Sequence, residues 1–158
     1  MTPEYTIALV AHDNCKNDLI EWVAFNKEKL KQHKLVCTGT TGKLVEAEIN
    51  KNCEKGSRDY IRITKLKSGP LGGDQQLGAM IAENKIDFTF FFWDPMAQQP
   101  HDVDVKALLR ITVLYNVPTA CNRTTADFLI SSSLFENGEY EKKIYDYTDY
   151  TKRKIKLG

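Results

Sequence analysis

Asp87-Phe88-Thr89-Phe90-Phe91-Phe92-Trp93 is the most strongly β-forming run in the chain, and Asp94-Pro95 stops it. It reads as a central strand. Outward from it, strand and helix patterns alternate. Upstream lie a helical pattern over residues 76–83, an alternating strand Tyr60-Ile61-Arg62-Ile63-Thr64, and a polar loop over 51–58. Before these come a helix over 43–49, a strand Lys34-Leu35-Val36-Cys37, and a helical repeat of Leu19, Trp22, Val23 and Leu30. The first strand is the apolar run Tyr5-Thr6-Ile7-Ala8-Leu9-Val10, and Asp13 or Asn14 is placed to cap the helix after it. Downstream, Val105, Leu108, Leu109, Thr112 and Val113 predict a helix, Val117-Pro118-Thr119-Ala120 a short strand, and Asn122-Arg123-Thr124 the cap of a helix over 126–130. Residues 140–145 read as an edge strand and 147–156 as a terminal helix. The alternation predicts an α/β fold, a mainly parallel sheet with helices on both faces.

The bulk properties narrow the function. A length of 158 residues fits one domain over 1–158. A net charge of +1 gives no electrostatic footprint for nucleic acid or a membrane surface. No apolar run approaches the roughly 20 residues that span a bilayer, and the first residues lack the basic start of a signal peptide. The four cysteines show no CxxC spacing and read as reduced thiols of a cytoplasmic protein.

Parallel sheets bind ligands outside the carboxyl ends of their strands. Here those ends carry His12-Asp13, Thr38-Gly39-Thr40-Thr41, Ser68-Gly69-Pro70-Leu71-Gly72-Gly73-Asp74, residues 94–101, and Asn122-Arg123-Thr124. Each cluster has two readings. The Thr38–Thr41 hydroxyls at a helix start suit a phosphate, and equally a Thr-rich cap. Lys16 at a first turn suits an anion, or is solvated. Asp74 is a cap or a base. His101 and Asp104 stand three apart, so a carboxylate can orient the imidazole, while Pro100 and Asp102 read as a helix start. Cys15 reads as packing. His33 sits on an exposed helix end, and no spacing suits a metal site. Lys152-Arg153-Lys154 is a solvated helix end, or an anion site across a subunit boundary.

Several stretches together resemble the methylglyoxal synthase family. They are Ile7-Ala8-Leu9-Val10-Ala11-His12-Asp13-Asn14-Cys15-Lys16, Thr38-Gly39-Thr40-Thr41-Gly42, Ser68-Gly69-Pro70-Leu71-Gly72-Gly73-Asp74-Gln75-Gln76, Phe91-Phe92-Trp93-Asp94-Pro95, Pro100-His101-Asp102-Val103-Asp104-Val105-Lys106-Ala107-Leu108-Leu109-Arg110, and Thr124-Thr125-Ala126-Asp127-Phe128. Residues 46–66 are longer than the family pattern, and the tail beyond Ser133 diverges from it. The resemblance implies a Rossmann-like three-layer sandwich with a five-stranded sheet. It implies conversion of dihydroxyacetone phosphate to methylglyoxal and phosphate with no metal or organic cofactor. It also implies a cytoplasmic homohexamer inhibited by phosphate. Carried over, Asp74 is the catalytic base. His12, Lys16, Thr38, Gly39, Thr40, Thr41, Ser68, Gly69 and His101 bind substrate, with Asp13, Asp94 and Asp104 as supporting carboxylates.

The chemistry sets its own demands. An ordinary Asp, with a pKa of about 3.9, is a weak base for a carbon acid. The carbonyl must be polarised as charge develops, a role expected of neutral His101 oriented by Asp104. Phosphate then leaves only if its C–O bond stands roughly perpendicular to the enediolate plane. Two rivals remain at this point. An effector-binding module, like the regulatory domain of carbamoyl phosphate synthetase, does not need Asp74 and His101 together. A triose-phosphate isomerising enzyme shares the proton abstraction and differs in its product.

Overall fold

The computed structural model describes residues 3–98 and 100–158. Its five strands are β1 (Thr6–Ala11), β2 (Lys34–Cys37), β3 (Thr64–Lys65), β4 (Phe88–Phe92) and β5 (Thr119–Ala120). They form one sheet in the order β3-β2-β1-β4-β5, and every neighbouring pair is parallel. The helices are α1 (Lys16–Phe25), α2 (Lys27–Leu30), α3 (Gly39–Ile49), α4 (Gly73–Ala82), α5 (Asp102–Leu114), α6 (Arg123–Ser131), α7 (Ser133–Glu136) and α8 (Thr148–Thr151). The expected α/β three-layer arrangement is the observed one.

Side-chain alternation along each strand divides the core in two. Ile7, Leu9, Phe90 and Phe92 point to one face, where Leu19 and Trp22 of α1, Val45 and Ile49 of α3, and Ala126 and Ile130 of α6 cover them. Ala8, Val10 and Phe91 point to the other, against Leu77 and Ile81 of α4 and Val105 and Leu108 of α5. Both faces of the sheet are dry, which is why β1 and β4 read as near-continuous apolar runs. Burying a Phe or Leu side chain contributes about 1.5–3 kcal/mol, so the six-residue β1 and five-residue β4 anchor the molecule. From β1 the chain steps outward through β2 to β3, then returns to lay β4 and β5 on the other side. The reversal falls between β1 and β4, where a crevice opens at their carboxyl ends.

Several boundaries differ from expectation for local reasons. The helix expected through Leu30 breaks at Asn26, whose side-chain amide donates to the Trp22 carbonyl (2.9 Å). Neither Asp13 nor Asn14 caps α1; their side chains turn to Lys16 and Asp94. The third strand is only Thr64–Lys65, because Asn50 captures the backbone of Ile61 (2.7 Å to both its N–H and its carbonyl) and holds this stretch off the sheet. Residues 140–145 form no strand, and the terminal helix is the single turn α8. His33 is buried at 6% exposure: the Tyr5 N–H donates to its Nδ1 (3.2 Å), and its ring packs against Tyr5 and Phe135. Among the described residues, no helix is long and apolar enough to cross a membrane.

Candidate active site

The carboxyl edge of the sheet holds a cavity of about 280 Å³. His12, Asp13, Lys16, Thr38, Gly39, Thr40, Thr41, Ser68, Gly69, Asp74 and His101 line it, so the structure brings together eleven of the residues singled out above. Asp94 and Asp104 do not line it. Pro70, Val10 and Ala11 complete the wall.

The stretch from Ser68 builds one side. A 3-10 turn over Gly69–Leu71 ends at Gly72, whose φ of +103° lies in the left-handed region that glycine adopts without penalty. The chain then enters α4 at Gly73. A Cβ there would stand 1.9 Å from the Lys67 carbonyl oxygen, so only glycine allows the approach. Gln76 reaches back from α4 and accepts from the Lys67 N–H (2.8 Å), pinning the loop ahead of Ser68. Asp74 is thereby carried on the first turn of α4, aimed at the cavity and 4% exposed.

Asp74 caps nothing. Its Oδ2 is buried and has no hydrogen-bond partner among the described residues. His101 Nε2 stands 3.9 Å away, in contact range but beyond a hydrogen bond. Burial pushes the Asp74 carboxyl above the ordinary carboxylate range; His101 opposes that shift and the nearby charge of Asp104 adds to it. Gly69 sits against both groups. A Cβ there would lie 3.0 Å from His101 Nε2 and 3.2 Å from Asp74 Oδ2.

His101 is the residue ahead of α5, and its Nδ1 is buried without a partner among the described residues. The expectation that Asp104 orients its imidazole is therefore corrected: the residues bond through backbone (Asp104 N–H to His101 carbonyl, 2.9 Å). Asp104 stands one helical turn along, and its carboxylate faces a separate cleft between α4 and α5 behind Asp74. Its charge acts on Asp74 from there.

His12 faces His101 edge to plane, with ring centroids 5.6 Å apart. The Asp94 N–H donates to His12 Nδ1 (3.0 Å), and His12 Nε2 is buried with no partner among the described residues. Burial holds the His12 imidazole below its usual range, and His101 and Lys16 add to this; Asp94 and Asp102 pull the other way. Asp94 itself is fully engaged. Its Oδ2 accepts from Asn14 (2.7 Å), and its Oδ1 accepts from the N–H groups of Met96 (2.9 Å) and Ala97 (3.3 Å).

The adjoining wall suits an anion. α3 begins at Gly39, earlier than the expected residue 43, so Thr40 and Thr41 present first-turn N–H groups. Thr38 stands at the cap position and makes no side-chain capping bond, which removes the bland reading of this threonine cluster. Lys16 extends across the mouth, held by the Ala11 carbonyl (3.0 Å) and Asp13 Oδ1 (2.6 Å). The Asp13 side chain is 96% exposed. An ion pair so exposed adds under about 1 kcal/mol to stability, so its effect is to aim Lys16. Lys16 lowers the Asp13 carboxyl further, the opposite of what a base needs. Sequence reading missed Asn14 and Gln76, whose roles depend on partners 80 and 9 residues away. It also placed Arg153 as a possible anion ligand. Here Arg153 donates to the Tyr150 carbonyl (2.7 Å) and lies over the Tyr150 ring (3.7 Å), on the exposed tail. Among the described residues, no group of three or more His, Cys, Asp or Glu side chains is arranged to hold a metal ion.

Fold and site together define an MGS-like domain, and the family model of that description matches residues 18–121. A methylglyoxal synthase of Maridesulfovibrio salexigens is 57% identical over 158 residues, covering 98% of this chain and 100% of the relative. One from Proteus mirabilis is 54% identical, covering 99% and 95%. The crystal structure of methylglyoxal synthase from Elizabethkingia anophelis superposes with a TM-score of 0.83 at 50% identity, covering 98% of this chain and 95% of that one. The chain belongs to the methylglyoxal synthase family.

Proposed function

We propose that this chain is a methylglyoxal synthase, a single-domain lyase that takes dihydroxyacetone phosphate to methylglyoxal and inorganic phosphate. The observation that carries the reading is Asp74. A buried carboxylate with an unpartnered oxygen, raised out of its usual range, faces an imidazole and a helix-terminal anion cradle across one small cavity.

Asp74 removes a proton from the hydroxymethyl carbon. A carboxylate with a raised pKa is, once ionised, a stronger base than an ordinary one. His101 donates to the ketone oxygen as negative charge develops on it. The phosphate is held by the first turn of α3, the hydroxyls of Thr38, Thr40 and Ser68, and Lys16. Anchoring the phosphate there while Asp74 reaches the hydroxymethyl carbon sets the angle of the phosphate-bearing C–O bond. With that bond perpendicular to the enediolate plane, the hydroxyl on the deprotonated carbon gives up its proton as that carbon becomes the aldehyde, and the electron pair of the former C–H bond expels phosphate, which takes up that proton. The remaining enol takes up a proton at its terminal carbon and becomes methylglyoxal. The supporting carboxylates divide: Asp13 aims Lys16, Asp94 sets His12, and Asp104 raises Asp74. As product, inorganic phosphate competes for the same cradle and inhibits. The reading extends to a cytoplasmic homohexamer acting without metal or organic cofactor.

Incubation of the purified protein with dihydroxyacetone phosphate tests this. Methylglyoxal and phosphate are expected in equal amounts. Glyceraldehyde 3-phosphate as the main product would instead mark an isomerase, and no turnover with retained phosphate binding would mark an effector module.

A further inference from the structure

A neutral imidazole offers one N–H and one lone pair, and which nitrogen carries which decides what it can bind. At His12 the choice is made by the backbone. The Asp94 N–H donates to Nδ1, so Nδ1 holds the lone pair and Nε2 holds the proton. That Nε2 is the atom left buried and unpartnered at the cavity. The reverse tautomer would set two N–H groups against each other at Nδ1 and turn a lone pair toward an anionic substrate.

The Asp94 N–H lies in the loop after β4, and the His12 ring belongs to the loop after β1. Besides that bond, two others among the described residues join these segments: the His12 N–H to the Phe92 carbonyl (3.1 Å), and the Asn14 side-chain amide to Asp94 Oδ2 (2.7 Å). Met96 and Ala97 hold only the other oxygen, Oδ1, and belong to the Asp94 loop itself. Asn14 is therefore the side chain that registers the Asp94 loop on the β1 loop.

We infer that Asn14 is a positioning residue: through Asp94 it locks His12 as the Nε2–H tautomer, so that His12 enters the reaction as a donor to a substrate oxygen. This rests on the proposed lyase reaction, and its tests separate the two. Asn14 is exposed, so its bond is worth little to folding and its removal reads on the site.

Heteronuclear NMR of the imidazole nitrogens, with His12 assigned by its disappearance in His12→Gln, is independent of turnover. The wild-type protein is expected to show an unprotonated Nδ1 and a protonated Nε2; the opposite pattern overturns the inference. Asn14→Leu is expected to lose about tenfold in kcat/KM, the scale of one hydrogen bond, with unchanged Tm and with a mixed His12 tautomer signal. Wild-type kcat/KM in that variant overturns it. Asn14→Asp provides the second arm. Two facing carboxylates repel at neutral pH, while at acid pH a shared proton restores a donor to Asp94. Its kcat/KM relative to wild type should rise as pH falls, and a ratio flat with pH overturns the inference. If the wild type produces no methylglyoxal, the reaction fails, whatever the NMR shows.

Discussion

Asp74 and Asp94 carry the same carboxyl group at the same edge of the sheet, and their surroundings differ at every point. Asp74 is buried, with an oxygen that no donor reaches and a pKa held up by burial. Asp94 is half-buried, accepts three hydrogen bonds, and is held below its usual range chiefly by the Asn14 amide. A carboxylate satisfied by donors is stabilised as an anion and is a poor base; one stripped of donors takes up a proton readily. Strand-end position and spacing place both aspartates near a site. Only the donor inventory separates the base from the strut.

Asp74→Asn is the sharpest way to break this contrast. Turnover is expected to fall by about a thousandfold or more, within the range of a lost general base, while phosphate binding survives. Stability should move the other way. A raised native pKa means that Asp74 favours folding below its unfolded pKa, and that this contribution is lost as pH rises through its native pKa. Above that native pKa the wild type carries a buried charge, with an oxygen lacking a donor among the described residues, that the variant lacks. The Tm of Asp74→Asn should exceed wild type at neutral pH, and the gap should close in acid. Equal Tm values at both pH values would show that the burial of Asp74 has no energetic cost. The same shift places the acid limb of wild-type kcat/KM above the ordinary carboxylate range of about 4, since the ionised form is the active one.

Gly69→Ala attacks the pair without touching either group. The added methyl would stand 3.0 Å from His101 Nε2 and 3.2 Å from Asp74 Oδ2, so one or both must shift by tenths of an ångström. Displacements of about 1 Å at a reacting centre cost about a hundredfold, and a loss of tenfold to a hundredfold in kcat at near-constant Tm is expected. Full activity in this variant would mean that the close Asp74–His101 approach is not used.

The sheet and its helices were legible because the signals were long or redundant. β1 and β4 are apolar on both faces, and α5 repeats its apolar positions over three turns. The short and shared features were not legible. Tyr60-Ile61-Arg62-Ile63 alternates like a strand, but Asn50, a polar residue at the end of α3, takes the hydrogen bonds that a strand would need. Residues 140–145, read as an edge strand, lie mostly exposed and form no strand. At the site, strand-end position located nearly every cavity residue, since topology alone carries those loops to one edge. The relation between His101 and Asp104 was misjudged because three-residue spacing was taken as side-chain contact. His101 stands just ahead of α5, off the helical register that would bring the two side chains together.

Asp94→Asn tests the strut at the smallest scale. The side chain keeps its shape, and Oδ1 still accepts from Met96 and Ala97. What changes is the group facing Asn14: once the Asn14 amide flips, the charge-assisted bond across the loops becomes a neutral amide–amide bond, weakened and not removed. The backbone N–H that sets His12 remains, so the base and its pKa should be untouched. A several-fold drop in kcat/KM is expected, with the acid limb unmoved, in keeping with one exposed hydrogen bond. A thousandfold loss, or an acid limb that follows the substitution, would make Asp94 the base and reverse the assignment of the two carboxylates.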